Sequence, residues 1–466
     1  MKHPHTATTT TAKKRIHLNL KRPVYNKTKK SIPTKENPIQ IQGKRYKKKN
    51  GWIKVMIYGA ALERGYAHGY LLQKELIYIR ETILPFLINE SLEVSYEKYE
   101  TDCKTHITPQ IQKHFPEFYQ EMQGIVSGAN HHSITLDFII AWNSYLSMAS
   151  FYKRRSAVDR CTAFIAVGNA TEKGDIVMGH TTHSDLVLAY YFNIVLEIIP
   201  SDGQKMIMQT CPGFICSGSD WFLCENGIIG CETTISEINY KPKFGVPYYC
   251  RIRQAMQYGK SLDDYVEIMK KNNSGDYACS WLLGDTKKNE IMLLEIALTT
   301  MNVEKKTDGI FYGMNSAISP EIREKDTTDK TYWKKNESSG ARNIRLHVLL
   351  YEKYYGKLNT DIAREILADH YDVDQEVETD GNHLSLCKHD YADDRPLKRG
   401  IRYPFGCTDG KVIDSQLAKQ MQFVGRMGPA CGYAFSASKY LKQNPKYKKW
   451  KTVLRDYPNE PWVKLK

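Results

Sequence analysis

The sequence predicts an α+β fold, and three observations carry that reading: helical periodicity from Arg64 to Tyr152, an abrupt change after Asp159 to short strand-like runs, and later helices that follow groups of strands. Consecutive strands packed against helices suit a layered architecture better than the βαβ winding of a parallel sheet. With 466 residues, 41% hydrophobic and 25% charged, the chain can bury a large core, and disorder cannot describe most of its length.

Residues 1–50 are rich in Lys, Thr and Pro and lack apolar periodicity, so they are expected to form a basic, flexible arm. They hold much of the Lys and Arg behind the formal net charge of +14. The arm is read either as a solvated tail or as a patch that attracts an anionic membrane surface; no specific nucleic-acid recognition is expected. Alternation in GWIKVMIYG, residues 51–59, marks the expected start of folded structure. The stretches YLLQKELIYIRETILPFL, EFYQEMQGIVSGAN and TLDFIIAWNSYLSM then repeat apolar residues three and four apart, which makes residues 51–160 a mainly helical segment.

Beyond Asp159 the runs CTAFIAVG, DIVMGHTT, YFNIVLEIIP, KMIMQTCPGF and NGIIGCETTI are separated by turn residues and read as consecutive strands. Helices are expected in VPYYCRIRQAMQYG and SLDDYVEIMKKN, strands in CSWLLGD and EIMLLEIALT, and another helix in ARNIRLHVLLYEKYYG, before a polar C-terminal third. Residues 161–466 are expected to pack with 51–160 as one domain. No run reaches the roughly eighteen apolar residues of a membrane span, and the start lacks the apolar core of a signal peptide. The default expectation is a soluble intracellular protein, or a virion component were the chain viral.

The nucleophile elbow G-x-S-x-G, the phosphate loop G-x-x-x-x-G-K-[ST] and the zinc helix H-E-x-x-H are all missing. The 11 cysteines show no C-x-x-C spacing, so neither a zinc ribbon nor a disulfide framework is indicated; no metal and no organic cofactor is expected. What remains is the junction VDRCTAFIAVGNATEKGDIVMGHTTHSD, where Cys161 opens a strand behind a polar segment and a second strand ends in Gly179-His180-Thr181-Thr182-His183.

This junction resembles the processing site of the phospholipase B-like (lamina-ancestor) family and of its relatives, the cysteine autoprocessing enzymes of the penicillin acyltransferase type. Arg64-Gly-Tyr-Ala-His-Gly-Tyr70, CPGFICSGSDWFL, NGIIGCETTI, Asn273-Ser-Gly-Asp-Tyr-Ala-Cys-Ser-Trp281, HLSLCKHD and GCTDGKVIDSQLAKQM resemble further segments of the family, in the family's order. The resemblance implies a four-layer αββα sandwich of the N-terminal-nucleophile hydrolase type. It also implies cleavage between Arg160 and Cys161, after which Cys161 supplies both a thiol nucleophile and a free α-amine as the nearest base. His180 matches a family histidine at the strand end, placed to bond the α-amine or donate to substrate. Asn273 resembles the oxyanion-hole asparagine. Thr182, His183 and Glu232 are expected near the pocket, with Thr181 and His183 departing from the family's usual Asn and Trp. Arg342 and Arg345 fall inside matching segments but are equally explained by surface ion pairing.

The implied reaction is hydrolysis of a phospholipid ester through a Cys161 thioester. An amidase or N-acyl amino-acid hydrolase of the same fold is the alternative enzyme. An inactive binder that holds anionic lipid or nucleic acid with the basic arm is the alternative from another class.

Overall fold

The computed structural model describes residues 41–152, 161–393 and 404–466. In chain order its strands are β1 (Gly43–Arg45), β2 (Ile53–Gly59), β3 (Cys161–Gly168), β4 (Gly174–Asp185), β5 (Ile194–Pro200), β6 (Met206–Thr210), β7 (Trp221–Cys224), β8 (Ile228–Thr234) and β9 (Cys279–Asp285). They continue with β10 (Glu290–Ile296), β11 (Met301–Lys306), β12 (Gly309–Gly313), β13 (Tyr371–Asp372), β14 (Val377–Glu378), β15 (Phe405–Cys407), β16 (Asp409–Asp414), β17 (Phe423–Met427) and β18 (Val463–Leu465). One sheet has nine strands in the order β1-β2-β5-β6-β7-β8-β9-β10-β11. The other has seven, with the path β12-β3-β4-β16-β17-β18 and β15 added to β4.

Alternation along β3 shows how the layers stack. Ala163, Ile165 and Val167 join the large core shared with the nine-stranded sheet, whereas Phe164 and Ala166 join a second core with Leu346, Ile366 and Leu367. Gly284 of β9 lies against the side chains of Ile165 and Ile176, so the two sheets face each other there. On the far side of the seven-stranded sheet, Gly179 of β4 faces Leu367 of the helix Thr360–Leu367. Helices also cover the nine-stranded sheet: Tyr265 of the helix Leu262–Lys270 stacks on Phe222 of β7. Helix, sheet, sheet and helix follow in turn, which is the four-layer αββα sandwich.

The helices Ala61–Leu71 and Pro116–Ala129 cross at glycines. A Cβ on Gly65 would collide with the Glu121 carbonyl, and one on Gly128 with the Tyr66 carbonyl, so backbone meets backbone. Such an approach brings charge into the core, where Arg64 Nε donates to Glu121 Oε2 at 2.7 Å and Arg253 Nη1 to Glu121 Oε1 at 3.1 Å. Burial alone would raise the Glu121 carboxyl, but Arg253 and Arg64 outweigh it and hold the group below its ordinary value. His68, one turn along, accepts a hydrogen bond on Nε2 from the Gly213 backbone N–H at 2.8 Å. Burial pulls its pKa down to about 4.

Two expectations change. Ordered pairing starts before residue 50: Gly43, Lys44 and Arg45 pair with Ile57, Met56 and Val55, and Arg45 forks onto Glu75 at 2.6 and 2.8 Å. The C-terminal third supplies β15 to β18 of the second sheet. Its strands were hidden because β16 carries buried Asp409 and Lys411 where apolar residues would announce a strand. Among the described residues no helix is long and apolar enough to cross a membrane.

Candidate active site

Cys161 is the first residue of β3, is 2% exposed, and stands opposite Thr182 of β4. Its backbone is held by side chains from two other segments. The N–H donates to Asn315 Oδ1 at 3.0 Å, and the carbonyl accepts from Arg342 Nη1 at 2.6 Å. Arg342, on the helix Ser338–His347, also gives Nη1 to Thr162 Oγ1 at 3.1 Å and Nη2 to the Met314 carbonyl at 2.7 Å and Asn315 Oδ1 at 3.0 Å. Asn315 completes the set by donating Nδ2 to the Thr234 carbonyl at 2.9 Å. These bonds fix which end of the amide is oxygen. Asn315 sits at φ +79°, in the left-handed region that asparagine tolerates better than most residues.

The Cys161 sulfur accepts from the backbone N–H of His183. Burial pushes the thiol up, the Glu232 and Asp220 carboxylates push it further, and Lys411 opposes them. In the uncut chain this thiol is therefore protonated at neutral pH. Lys411 Nζ bonds Asp409 Oδ1 and Thr182 Oγ1, each at 2.8 Å, while Asp409 also accepts from the Thr182 N–H at 2.8 Å and from Gln209 Nε2 at 2.9 Å. Glu232 Oε1 accepts from the Tyr277 hydroxyl at 2.7 Å. A buried thiol with an anchored backbone, carboxylates and the cations Arg342 and Lys411 has the groups for nucleophilic acyl chemistry.

Of the residues expected from the sequence, Thr182 and Glu232 lie beside Cys161. His180 stands opposite Ala163, two residues along, and its Nε2 is 2.9 Å from the Glu232 carbonyl. A carbonyl only accepts, so Nε2 carries the proton. Burial, reinforced by Lys411, keeps that ring neutral.

Three expectations are corrected. The His183 ring turns to the outer face, with Nε2 at 3.1 Å from both the Leu386 carbonyl and Thr181 Oγ1; only its backbone reaches the sulfur, because alternate residues of a strand point opposite ways. Asn273 has the bonds of a turn: Nδ2 donates one hydrogen to the Ala297 carbonyl at 2.7 Å and Oδ1 accepts from the Gly275 N–H at 3.1 Å, so the contacts it makes are those of a turn. Arg342 is no surface ion pair but is fully buried at the nucleophile. Arg345 does pair with Asp369, at 2.6 Å. Arg160 lies outside the described residues.

The sequence reading missed Asn315, Asp220, Asp409 and Lys411. The last two stand in GCTDGKVIDSQLAKQM, where charges inside a strand were the available signal. Asn315 gave none, since it meets Cys161 across 154 positions of chain. Elsewhere, His370, Cys387, His389 and Cys431 bring donor atoms within 4.8 Å of one another.

Two facing sheets between helical layers, with a cysteine heading an inner strand, form the four-layer αββα sandwich expected from the sequence. The chain belongs to the phospholipase B family, whose model matches residues 78–337, more than half of its length. It is 22% identical to human phospholipase B-like 1 over 301 residues, covering 59% of this chain and 53% of that one. It is 24% identical to an uncharacterized protein of Archaeoglobus fulgidus over 264 residues, 52% of this chain and 42% of the relative. The chain thus spans about half the length of the curated relatives it matches. A variant of conjugated bile acid hydrolase from Clostridium perfringens overlaps loosely in structure, with 9% identity, a TM-score of 0.26, and coverage of 58% of this chain and 84% of that one.

Proposed function

We propose that this chain is an acyl hydrolase that severs its own backbone between Arg160 and Cys161 and then turns over ester substrates through a Cys161 thioester. The observation that carries the reading is the cradle around the Cys161 backbone, in which Asn315 accepts its N–H and Arg342 donates to its carbonyl. A buried N–H and carbonyl must be paired in any fold, but here side chains rather than a neighbouring strand do it, with the Asn315 oxygen at the very nitrogen that a cut would free. That placement serves chemistry if the nitrogen becomes a free amine.

In the cut, the thiol sulfur adds to the carbonyl carbon of residue 160, the C–N bond breaks, and the thiol proton passes to the departing nitrogen. Water then hydrolyses the thioester, leaving one chain that ends at residue 160 and one that begins at Cys161, packed together as one domain. Cys161 now carries an α-amine with a typical pKa of about 7.7 to 8.0 beside its sulfur, and Asn315 Oδ1 is placed to accept from that amine and aim its lone pair. In turnover the amine takes the thiol proton and the thiolate attacks the acyl carbon. The departing alcohol receives that proton, and water releases the acid.

The family and the names of the relatives favour a phospholipid ester. The test is intact mass and N-terminal sequencing of the purified chain and of Cys161→Ala, with fatty-acid release from phospholipid followed beside release from N-acyl amides. A second chain beginning Cys-Thr-Ala-Phe, absent in Cys161→Ala, supports the reading. A Cys161→Ala protein as active as the parent overturns it, and a preference for amides moves the substrate class while keeping the nucleophile.

A further inference from the structure

We infer that His370, Cys387, His389 and Cys431 form a zinc site that ties the loop-rich segment around residues 369–393 to the strand carrying the active site. The donor atoms of all four lie within 4.8 Å of one another. Cys387 Sγ and Cys431 Sγ are each 3.5 Å from His389 Nε2. Bonds of about 2.3 Å to sulfur and 2.0 Å to nitrogen in a tetrahedron give a sulfur–nitrogen edge of roughly 3.5 Å, so both sulfurs already stand at ligand spacing from the ring. Two thiolates and two imidazoles are a donor set that zinc favours.

Proton bookkeeping points the same way. His389 Nδ1 is 2.9 Å from the Asp380 carbonyl, which can only accept, so Nδ1 carries the proton and Nε2 presents one lone pair. Two thiol protons cannot share that single pair well, whereas a cation bound by the ring and both thiolates satisfies all three groups. A histidine that gives its remote N–H to a backbone carbonyl is also how metal-bound imidazoles are commonly oriented. The ring is fixed in place as well: Gly381, at φ +95°, passes so close to His389 Nδ1 that a Cβ would stand 2.6 Å from it. On the other side His370 Nε2 is buried without a well-formed hydrogen bond, next to the Cys431 sulfur. Cys407 is a neighbour outside the group, because its S–H donates to the Asp409 carbonyl at 3.4 Å.

The ligands come from three stretches of chain whose regular structure is slight; β13 and β14 have two residues each. A metal ion supplies cohesion that so few backbone bonds cannot. The knot leads directly to β4, the strand paired with the one that Cys161 heads. Leu386, beside Cys387, accepts from His183 Nε2, and Lys388 accepts the N–H of Cys407, which pairs with His183. Zinc would thus be a positioning element, independent of whether Cys161 turns over acyl substrates.

The experiment is metal analysis of the untagged full chain, followed by cobalt exchange. Expected are about one zinc per chain, loss of at least tenfold in zinc content for Cys431→Ser and for His370→Ala, and retention in Cys161→Ala. Cobalt in the parent chain should give a thiolate-to-metal charge-transfer band with tetrahedral visible bands, a readout that needs no variant to fold. A parent chain that takes up neither metal at stoichiometry overturns the proposal. So does a mass lower by two hydrogens that maps to a Cys387–Cys431 disulfide, and so does His370→Ala with full zinc and an unchanged cobalt spectrum.

Discussion

Arg342 reaches across 181 positions of chain to place Nη1 2.6 Å from the carbonyl oxygen of Cys161, and the same guanidinium reaches Asn315 Oδ1, the acceptor of the Cys161 N–H. One planar fork therefore sets both backbone polar groups of the nucleophile residue, the carbonyl directly and the N–H through Asn315. Lysine has the charge but a single nitrogen at its tip, so it cannot serve the carbonyls of Cys161 and Met314 together with Asn315. Arg342→Lys is expected to lose about 1–3 kcal/mol of stability, as for buried acceptors left without their donor. It should also slow hydrolysis. Thermal unfolding and steady-state rates measure the two effects, and a variant with unchanged midpoint and rate would show the fork to be idle.

Asn315 and Asn273 separate by mutation. Asn315→Gly keeps the left-handed backbone and deletes only the amide, so folding should survive while turnover falls roughly a hundredfold or more, the scale seen when one preorganised polar group at the reacting centre is lost. Asn273→Ala should lower the melting temperature by releasing its turn and leave turnover of the folded fraction within a few-fold of the parent. The opposite pattern in kcat would return Asn273 to the catalytic centre.

The glycine crossing can be tested by adding one methyl group. Gly128→Ala places a Cβ on the Tyr66 carbonyl, and backbone cannot yield as a flexible side chain can. A loss of about 3 kcal/mol, at the upper end of ordinary overpacking, is expected and should appear as reduced soluble yield and an earlier unfolding transition. Ser127→Ala, one residue away and exposed to solvent through its hydroxyl's local bond to the Gln123 carbonyl, should change little.

Acid should loosen the fold through neutral histidines. His68 is held at about 4 by burial, against 6.5 in the open chain. The unfolded state binds the extra proton first, so stability is complete above pH 6.5 and is lost as pH falls toward 4, by about 3 kcal/mol for this residue alone. His180 and His183, also lowered by burial, add in the same direction. His68→Gln keeps an acceptor for the Gly213 N–H and should flatten the slope of melting temperature against pH in that window. An equally steep slope would place the acid sensitivity elsewhere.

Much of the fold was legible because burial follows period: the helices between Arg64 and Tyr152 and the strands β3 to β6 and β8 announce themselves by apolar spacing. The glycine-rich RGYAHGY was readable as a motif, and its physical content is the backbone contact with the Pro116–Ala129 helix. Legibility failed where the interior is polar. β16 hides behind Asp409 and Lys411, and Arg342 looked like surface because its partners are carbonyls of residues far along the chain. Asn273 misled for a related reason, since a polar residue before Ser-Gly reads alike whether it serves a turn or an oxyanion. The Cys387, His389 and Cys431 group escaped notice because its spacing matches no local metal motif and closes only through tertiary contact.

The pairing of β2 with β5 bears on what a cut before Cys161 would leave behind. These two strands run parallel in register from Ile53 opposite Ile194 to Gly59 opposite Pro200, and they lie on opposite sides of that junction. A severed molecule would remain a single particle in native buffer while giving two bands under denaturing conditions. Its renaturation, however, would change kinetic order: two fragments that must find each other refold at a rate set by their concentration, while the uncut chain does not. Dilution before refolding would then distinguish the two forms, and cleavage would have turned a fold that can be rebuilt from one chain into one that depends on its own history.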